Sequence, residues 1–468
     1  MHWRKWLGFS AFIPAVALGF MEQSILLVAL PTMQRDLGAT DVQLQWCVNA
    51  YLLAIAVFVL ISGKIGDRIG HRQALWWGIA GFALASLVCA VSQNVFLLIA
   101  ARGFQGVSAA LMFPAQTALI PRLFPPNQRG RANGMIVSIG SLFLILGPLI
   151  GGYLTEQLSW RWIFWINLPI AALGLYLIRA FLPKSDPVKS QIDLPGFFFF
   201  AIGISTLTTC FMEAGNWGWD SAKTWILIGA SLFFSILLFY REERSPHPFL
   251  ELSLFKKPLF AAININVAIV QFIMMVSVIR SIYFQDILGY TPAQTGWMIF
   301  ISACPVFFMS TASGWLSDRF GSKLPIAIGY VSLIISFVWF GFFPTPGLAS
   351  LLIALIAFGI GLPSILTPSF ASAMSSVSLE KAGVAFGVIL TLRMLGGTIG
   401  LALINLFVSA VQRSQMAAKG LQAASIATFS ALHFALALLI LLSFAATFVL
   451  YNRKSAHQLP ETPAEGWD

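Results

Sequence analysis

One carboxylate stands inside the first apolar segment of the chain. Glu22, within GFMEQSILLVALP at residues 19–31, is the only charged residue between Leu7 and Leu30. Burial favours the neutral form of a carboxyl group and a nearby cation favours its ionised form, so such a residue suits reversible protonation. The structural alternative is a permanent buried ion pair that fixes helix packing.

No other group of residues in the sequence resembles an enzyme site. The chain carries no phosphate-binding loop, no cluster of metal ligands and no nucleophile placed with a base. We therefore expect no enzymatic activity, no metal and no bound cofactor. The cysteines, which fall in apolar runs without a disulfide or metal-ligand spacing, are Cys47, Cys89, Cys210 and Cys304.

The composition identifies the solvent around these runs. The chain of 468 residues is 58% hydrophobic and only 10% charged, whereas soluble domains carry roughly 25% charged residues. Its mean hydropathy is +0.83. A membrane-spanning helix needs about 20 apolar residues, and the chain has fourteen such runs, which we place at 8–30, 45–64, 74–94, 97–118, 134–155, 162–181, 194–215, 224–240, 259–281, 293–314, 325–343, 347–371, 385–411 and 428–451.

Positive charge predicts the orientation of these spans. With both termini in the cytoplasm, 20 of the 28 Lys and Arg residues fall in cytoplasmic segments, as the positive-inside rule requires. The net charge of +10 is therefore a topology signal, with the lipid bilayer as partner, and does not indicate nucleic-acid binding. The outer segments hold Arg35, Arg161, Lys223, Arg413 and Lys419, and the membrane holds Arg102, Arg280 and Arg393.

Two sequence patterns recur after about 250 residues. GKIGDRIGHR at 63–72 reappears as GWLSDRFGSK at 314–323, and RGRANG at 129–134 reappears as AGVAFG at 382–387, at offsets of 251 and 253. Parallel six-span repeats are a standard build of secondary transporters. The predicted fold is all-α and polytopic, with six-helix bundles at 1–182 and 246–455, two extra helices within the linker 183–245, and a cytoplasmic tail at 456–468.

The repeated loop predicts a cytoplasmic latch that stabilises one state of the molecule. Its glycines allow helices to approach, and its Asp can lie near the start of the next helix, where the helix dipole favours an anion. Its arginines can pair with that Asp or with neighbouring helix ends. An ordinary positive-inside turn is the alternative. The residues concerned are Gly63, Asp67, Arg68, Gly70 and Arg72, with Gly314, Asp318, Arg319 and Gly321 in the second copy.

GPLIGG at residues 147–152 predicts a bent helix that packs closely on a neighbour. Pro148 removes a backbone donor and bends the helix, while Gly147, Gly151 and Gly152 let another helix approach. A kink without further function is the alternative.

Several polar side chains in the spans could line a cavity or act in gating. Arg393 could serve gating or an anionic site, or equally a packing contact. We expect Arg280 to reach its nearby helix end and His433 to be a hydrogen-bonded packing residue, with a proton relay as the alternative. The candidate cavity or gating residues are Trp46, Tyr51, Gln105, Asn264, Gln271 and Arg393.

The loop pattern G-x-x-x-D-R-x-G, with Arg72 after it, resembles the signature loop of the major facilitator superfamily, although His71 replaces a usual basic residue. Arg102, Gln105 and Gly106 resemble its Arg-x-x-Gln-Gly motif, and GPLIGG matches the motif of its antiporters, with Phe143 where a small residue is usual. The set is similar to fourteen-span drug:proton antiporters of the EmrB/QacA type. Further matches are ALP at 29–31, QWCVNAYLLAIA at 45–56, WRWIFWINLPI at 160–170, GNWGWDS at 215–221, HPFLELSLFKKPLF at 247–260, YFQDILGYTPAQTG at 283–296 and LRMLGGTIG at 392–400.

The resemblance implies the major facilitator fold and proton-coupled efflux of amphipathic small molecules across the inner, cytoplasmic membrane by alternating access. It assigns proton coupling to Glu22 and Arg102, with the proton gradient as energy source, and it allows an adaptor protein as a further partner. Three membrane arginines against one acid favour neutral or weakly acidic substrates. The rival functions are an uptake transporter of the same fold, proton-coupled or facilitative, and a non-transporting membrane receptor or assembly subunit.

Overall fold

The computed structural model describes residues 2–185, 187–188, 191–245, 249–250, 252–256, 258–375 and 382–455. The predicted tail at 456–468, linker positions 186, 189 and 190, and positions 246–248, 251, 257 and 376–381 of the predicted second bundle lie outside the described residues. Across the described ranges the regular secondary structure is helical. The α-helices are α1 His2–Ser10, α2 Phe12–Leu37, α3 Asp41–Ile69, α4 His71–Val91, α5 Val95–Leu123, α6 Pro126–Gln157, α7 Trp162–Trp165, α8 Asn167–Phe181, α9 Leu194–Trp217, α10 Ala222–Arg244, α11 Pro258–Met274, α12 Val276–Asp286, α13 Pro292–Phe320, α14 Lys323–Phe342, α15 Leu348–Ser375, α16 Ala382–Lys419 and α17 Leu421–Ser455.

Fourteen helical segments in the described ranges are long and apolar enough to cross a membrane, which confirms the number of spans predicted from the apolar runs. Most extend beyond those runs. The run at 97–118, for example, lies within a helix from Val95 to Leu123, because a helix continues into the polar residues at the membrane surfaces.

The spans form two groups of six with an additional pair between them in the chain. In the first group α2 packs on α6, α3 and α4 pack on α5, and α8 packs on α2 and α4. In the second group α13 and α14 pack on α15, α11 packs on α16, and α14 packs on α17. The groups meet along α6 with α13 and α3 with α16, while α9 of the additional pair contacts both α3 and α16.

Matched glycines show that the two groups use the same helix contacts. A Cβ atom on Gly106 would meet the Tyr51 carbonyl, and one on Gly359 would meet the Ser302 carbonyl. These pairs stand 253 (359 − 106) and 251 (302 − 51) residues apart, which are the offsets of the repeated motifs. The repeat visible in the sequence is therefore a repeat of packing, because the same close helix approaches recur in both groups.

The helix starts repeat as well. Thr40 caps α3 by a capping box with Gln43, and Thr291 caps α13 by the same arrangement with Gln294. Each box satisfies backbone donors at a helix N-terminus. An offset of 251 (291 − 40) again relates the two sites, so the duplicated sequence specifies duplicated helix boundaries.

The loops collect at two faces of the molecule. One face, which we call the latch face, carries the first repeated loop at 63–72. Gly70 of this loop contacts Ser185. The opposite face carries Asp36, whose carboxylate accepts hydrogen bonds from Trp160 Nε1 at 2.9 Å and Arg161 Nη1 at 2.6 Å. Arg161 also donates to the Ser92 carbonyl at 3.2 Å, which ties three loops together at that face.

The close contact of α3 with α5 predicts a large effect at Gly106. A valine there would place its Cβ 2.8 Å from the Ala54 Cβ and against the Tyr51 carbonyl, and such overpacking costs about 1–3 kcal/mol. We expect Gly106→Val to lower the thermal unfolding midpoint of the purified protein. Gly103→Val is the matched control, because a Cβ at Gly103 on the same helix meets no atom within 4 Å. Equal midpoints for the two variants would contradict this packing.

Candidate functional site

A buried ion pair lies at the centre of the first helix group. Glu22 of α2 accepts a short hydrogen bond from Arg102 Nη1 of α5. Both residues are 1% exposed. Arg102 Nε donates to the Cys47 carbonyl of α3 at 2.9 Å, and its guanidinium lies 4.6 Å from the centre of the Tyr51 ring. The two residues expected to act together are thus in direct contact.

Two further helices complete the network around this pair. Asn167 of α8 donates to the second carboxylate oxygen of Glu22 at 2.9 Å. Gln105 accepts from Arg102 Nη1 and donates to Ser86 of α4 at 2.9 Å. Asn167 also reaches the Ser86 hydroxyl at 3.2 Å. Side chains from α2, α4, α5 and α8 therefore form one hydrogen-bonded network around the buried carboxylate of Glu22.

The surroundings of Glu22 decide which protonation state its carboxyl group favours. Both oxygens of Glu22 accept from N–H donors, which is the arrangement of an ionised carboxylate. A proton on either oxygen would compete with these donors, which favour the ionised form. Movement of α5 or α8 relative to α2 would therefore change the proton affinity of Glu22.

Asn167 and Ser86 were not identified from the sequence as members of the site. Asn167 is a single amide in the apolar run 162–181, and a polar residue in a span often marks a functional contact. The sequence WINLP at residues 165–169 therefore contained a usable signal for Asn167. Ser86 gave none, because a serine can satisfy its hydroxyl on its own helix backbone.

The glycine motif of α6 packs α2 and α13 at close range. A Cβ at Gly147 would meet the Ser24 hydroxyl of α2, and one at Gly151 would meet the Ile25 carbonyl. On the other side of the helix, a Cβ at Gly152 would lie 2.5 Å from the Pro292 carbonyl of α13. The motif therefore joins the two helix groups through nearly bare backbone.

The two helix groups are also joined by hydrogen bonds near the face that carries Asp36. Ser281 of α12 donates to the Leu27 carbonyl at 2.8 Å, and Gln285 donates to the Val28 carbonyl at 2.8 Å. Pro31 lies four residues after Leu27 and has no N–H group, so the Leu27 carbonyl has no partner of its own at the usual helical position. Pro31 thus leaves the Leu27 carbonyl free to accept the hydrogen bond from Ser281.

The first copy of the repeated loop fastens the end of α3 to the segment after α8. Gly70 has a φ of +90° and lies against Ser185, so a side chain there would be strained and would clash. Asp67 pairs with His71 at 3.0 Å. Arg72 donates to the carbonyls of Ile178 at 3.3 Å and Arg179 at 2.9 Å at the end of α8. The predicted contact of an arginine with a helix end is confirmed for Arg72.

The second copy keeps the backbone of the loop and differs in its contacts. Gly321 has a φ of +77°, and a Cβ there would meet no atom within 4 Å. Asp318 and Arg319 are exposed, and Arg319 stacks on Trp315. Gly63 and Gly314 are equivalent, since a Cβ on each would lie 3.9 Å from Pro114 and Thr367 respectively. Arg68 in the first copy is also exposed.

The candidate cavity residues do not form a single group, although Tyr51 and Gln105 both contact Arg102. Trp46 donates to Glu213 of α9 at 3.0 Å, and Tyr51 donates to the Gly19 carbonyl at 3.2 Å. Asn264 donates to its own helix at the Phe260 carbonyl. Gln271 accepts from Arg393 Nε at 2.8 Å, so these two lie together.

The expectation that Arg280 reaches its helix end is wrong. Arg280 is 3% exposed and donates to His433 Nε2 at 3.1 Å. Its guanidinium lies over the rings of Phe337, Phe340 and Phe358, so it points into the second group. His433 also contacts the Phe429 carbonyl at 2.7 Å, which confirms it as a hydrogen-bonded packing residue.

Comparison with known proteins finds similarity to membrane transporters. The family model for the Major Facilitator Superfamily matches residues 12–401. The multidrug resistance protein Stp of Mycobacterium tuberculosis (strain CDC 1551 / Oshkosh) is 32% identical over 389 residues, which are 82% of this chain and 72% of Stp. The riboflavin transporter RibZ of Clostridioides difficile (strain 630) is 29% identical over 86% of this chain and 88% of RibZ. A solved structure of a bacterial homologue of the human lysosomal transporter Spinster, inward-facing and unoccupied, aligns at a TM-score of 0.71 with 14% identity, over 98% of this chain and 99% of that one.

The buried network predicts a strong coupling between Glu22 and Arg102. Removing one member of a buried ion pair leaves the other uncompensated and costs about 3–5 kcal/mol. We expect Arg102→Met to lower the thermal midpoint more than the double variant Glu22→Gln/Arg102→Met does. Arg413→Met, at an exposed arginine, is the control and should leave the midpoint unchanged. Independent, additive effects of the two substitutions would show that the pair does not interact.

The contact of α6 with α13 predicts that Gly152 helps to hold the two helix groups together at the face that carries Asp36. Gly152→Val would force α13 away, and an overpacking cost of about 1–3 kcal/mol would lower the population in which α6 contacts α13 by about tenfold. A Ser281→Cys reporter in a chain without its natural cysteines should then react faster with a water-soluble maleimide in nanodiscs. Gly134→Val on the same helix is the control, because a Cβ there meets no atom within 4 Å. Equal labelling rates in both variants would exclude this role.

Proposed function

This chain belongs to the Major Facilitator Superfamily, and from that membership we propose that it exports amphipathic small molecules in exchange for protons. It is a secondary transporter and not an enzyme. We also propose that it falls among the fourteen-span drug:proton antiporters, which the fourteen candidate spans support. The similarity to the multidrug resistance protein Stp supports efflux as the direction of transport.

The observation that carries the proposal is the buried network at Glu22. Its carboxylate is 1% exposed and contacts donors on two other helices. A buried ionisable group whose partners stand on separate helices can bind and release a proton when those helices move. Glu22 is thus the proposed proton carrier, and Arg102 is the proposed cation that displaces the proton.

One segment of α2 would transmit protonation to the rest of the molecule. Glu22 lies in the same stretch as Ser24, which donates to the Leu144 carbonyl of α6 at 2.8 Å, and as the Leu27 carbonyl that Ser281 binds. Loss of the pair with Arg102 would free α2 to shift. The shift would loosen both contacts and open the opposite face, which is the step that alternating access requires.

The proposal also includes an orientation. The latch face and both termini would lie on the cytoplasmic side, because positive residues concentrate on that side. The membrane would be the inner, cytoplasmic membrane, as the resemblance implies. The proton gradient would supply the energy, and protons would enter from the opposite face. An adaptor protein beyond this face remains a proposed partner, on the resemblance alone.

Proton flux in liposomes tests the proposal. Wild-type protein, reconstituted with a pH-sensitive dye inside, should move protons under an imposed gradient only when an amphipathic compound is added. Glu22→Gln should abolish this movement, because the amide cannot take up a proton, whereas Glu22→Asp should retain part of it. Glu243→Gln, at an exposed acid of α10, is the matched control and should behave as wild type.

The possible results separate the rival functions. Equal proton movement in wild type and Glu22→Gln would make the carboxylate structural and refute the coupling proposal. Movement of compound and protons in the same direction would instead support uptake. The absence of any movement of labelled compound in either direction would support a receptor or assembly subunit.

A further inference from the structure

One arginine side chain in the second helix group is partly exposed although it lies well inside a membrane span. Arg393 of α16 is partly exposed, although it lies eight residues inside the span that begins at Ala385, about 12 Å along the helix. Its Nε donates to Gln271 of α11 at 2.8 Å. Among the ion pairs of the described residues, none includes Arg393. A guanidinium without a carboxylate at this depth faces a water-filled space or a ligand, because facing lipid is costly.

The neighbours of Arg393 place it beside the seam between the two helix groups. Gly397 lies one helical turn further along α16. A Cβ atom built on it would lie 3.1 Å from Gln271 and 3.6 Å from Leu52 of α3. α11 belongs to the second group and α3 to the first. The side of α16 that carries Arg393 therefore lies next to the central cleft, where transporters with parallel repeats bind their substrates.

The repeat shows what stands across the cleft. The contact of Arg393 with Gln271 corresponds, at offsets of 253 (393 − 140) and 251 (271 − 20), to the contact of Gly140 with Phe20, where a Cβ on Gly140 would lie 2.9 Å from the Phe20 ring. Phe20 packs edge-on against Phe113 at 5.7 Å between ring centres, and both rings are partly exposed. Parallel repeats are related by an axis along the membrane normal, so matched positions lie on opposite walls.

We propose that Arg393, held by Gln271, binds the anionic group of a substrate whose aromatic body rests against Phe20 and Phe113. A guanidinium binds a carboxylate through two parallel N–H donors, and Arg393 has its Nη donors available beyond the bond that its Nε makes to Gln271. Glu22, the one acid deep in the described spans, is already bound to Arg102 and Asn167, so a cationic substrate would lack a partner. This inference rests on the proposed transport function and names its substrate class, the amphipathic aromatic monoanion.

Three fluorescent probes with one aromatic body test the assignment. Pyrenebutyrate, its carboxamide and pyrenebutylamine share the aromatic body and carry an anionic, a neutral and a cationic head group. Their binding is measured at neutral pH on purified protein in nanodiscs of uncharged lipid, with empty nanodiscs subtracted. Wild type should bind the acid about tenfold more tightly than the carboxamide, since a hydrogen bond to a charged group contributes about that factor, and should bind the amine most weakly.

The variants assign the preference to Arg393. Arg393→Gln should bind the acid and the carboxamide with equal affinity, and retained binding of the carboxamide would show that the variant is folded. Arg413→Gln, at an exposed position of the same helix, should keep the tenfold preference. Phe20→Ala should weaken all three probes alike, because it removes part of the wall for the aromatic body.

Failure of the inference can be told apart from failure of the transport proposal. A wild-type protein that does not prefer the acid, including one that binds none of the probes, overturns the anion site, as does an Arg393→Gln variant that keeps the preference. If Arg393→Gln does not fold, Gln271→Leu serves as second variant, and an unchanged acid preference there removes Gln271 from the proposal. Proton movement driven by a neutral compound in liposomes would leave the transport function standing in each of these cases.

Discussion

The segment of α2 from Met21 to Val28 is the constraint on which the other contacts depend. It holds the carboxylate of Glu22 in the network with Arg102 and Asn167. It also lies against the glycines of α6, and its last two carbonyls accept the hydrogen bonds from α12. Three contacts with different helices thus share about two turns of one helix. A small displacement of that helix cannot leave any of them unchanged, because packed interiors do not deform smoothly.

The helices are held together by close backbone approach. Lipid tails are as apolar as the side chains, so burial of apolar surface does not drive association between spans, and small residues at the contacts contribute instead. Gly106 on Tyr51, Gly152 on Pro292 and Gly359 on Ser302 are such contacts. Two of them build the helix groups and one joins them. Contacts of bare backbone leave few side chains to rearrange when the groups move, which suits an interface that opens and closes.

The sequence carried enough information for the spans, the repeat and the main pair of the site. Apolar runs define spans because the bilayer imposes their length, and the joint role of Glu22 in the first span and Arg102 in the fourth was expected from the resemblance to the antiporter family. Partners contributed by distant helices could not be predicted in the same way. Ser281 binds a carbonyl 254 residues away, and Arg280 turns inward because the rings of Phe337, Phe340 and Phe358 surround it. Distance to a helix end was a poor guide for Arg280, since the direction of its side chain depends on packing.

The repeat offers an internal comparison for the ion pair itself. At the offsets that relate the equivalent helix contacts, Glu22 corresponds to Ile273 and Arg102 to Leu355. These residues are 0% and 2% exposed, so the second group packs the same positions with two aliphatic side chains. Apolar residues of similar volume are often as stabilising as a buried ion pair, or more so. The first group therefore does not need charges at these positions in order to pack. Its retention of a carboxylate, an arginine and their hydrogen-bond partners favours a role in proton exchange over a role in packing.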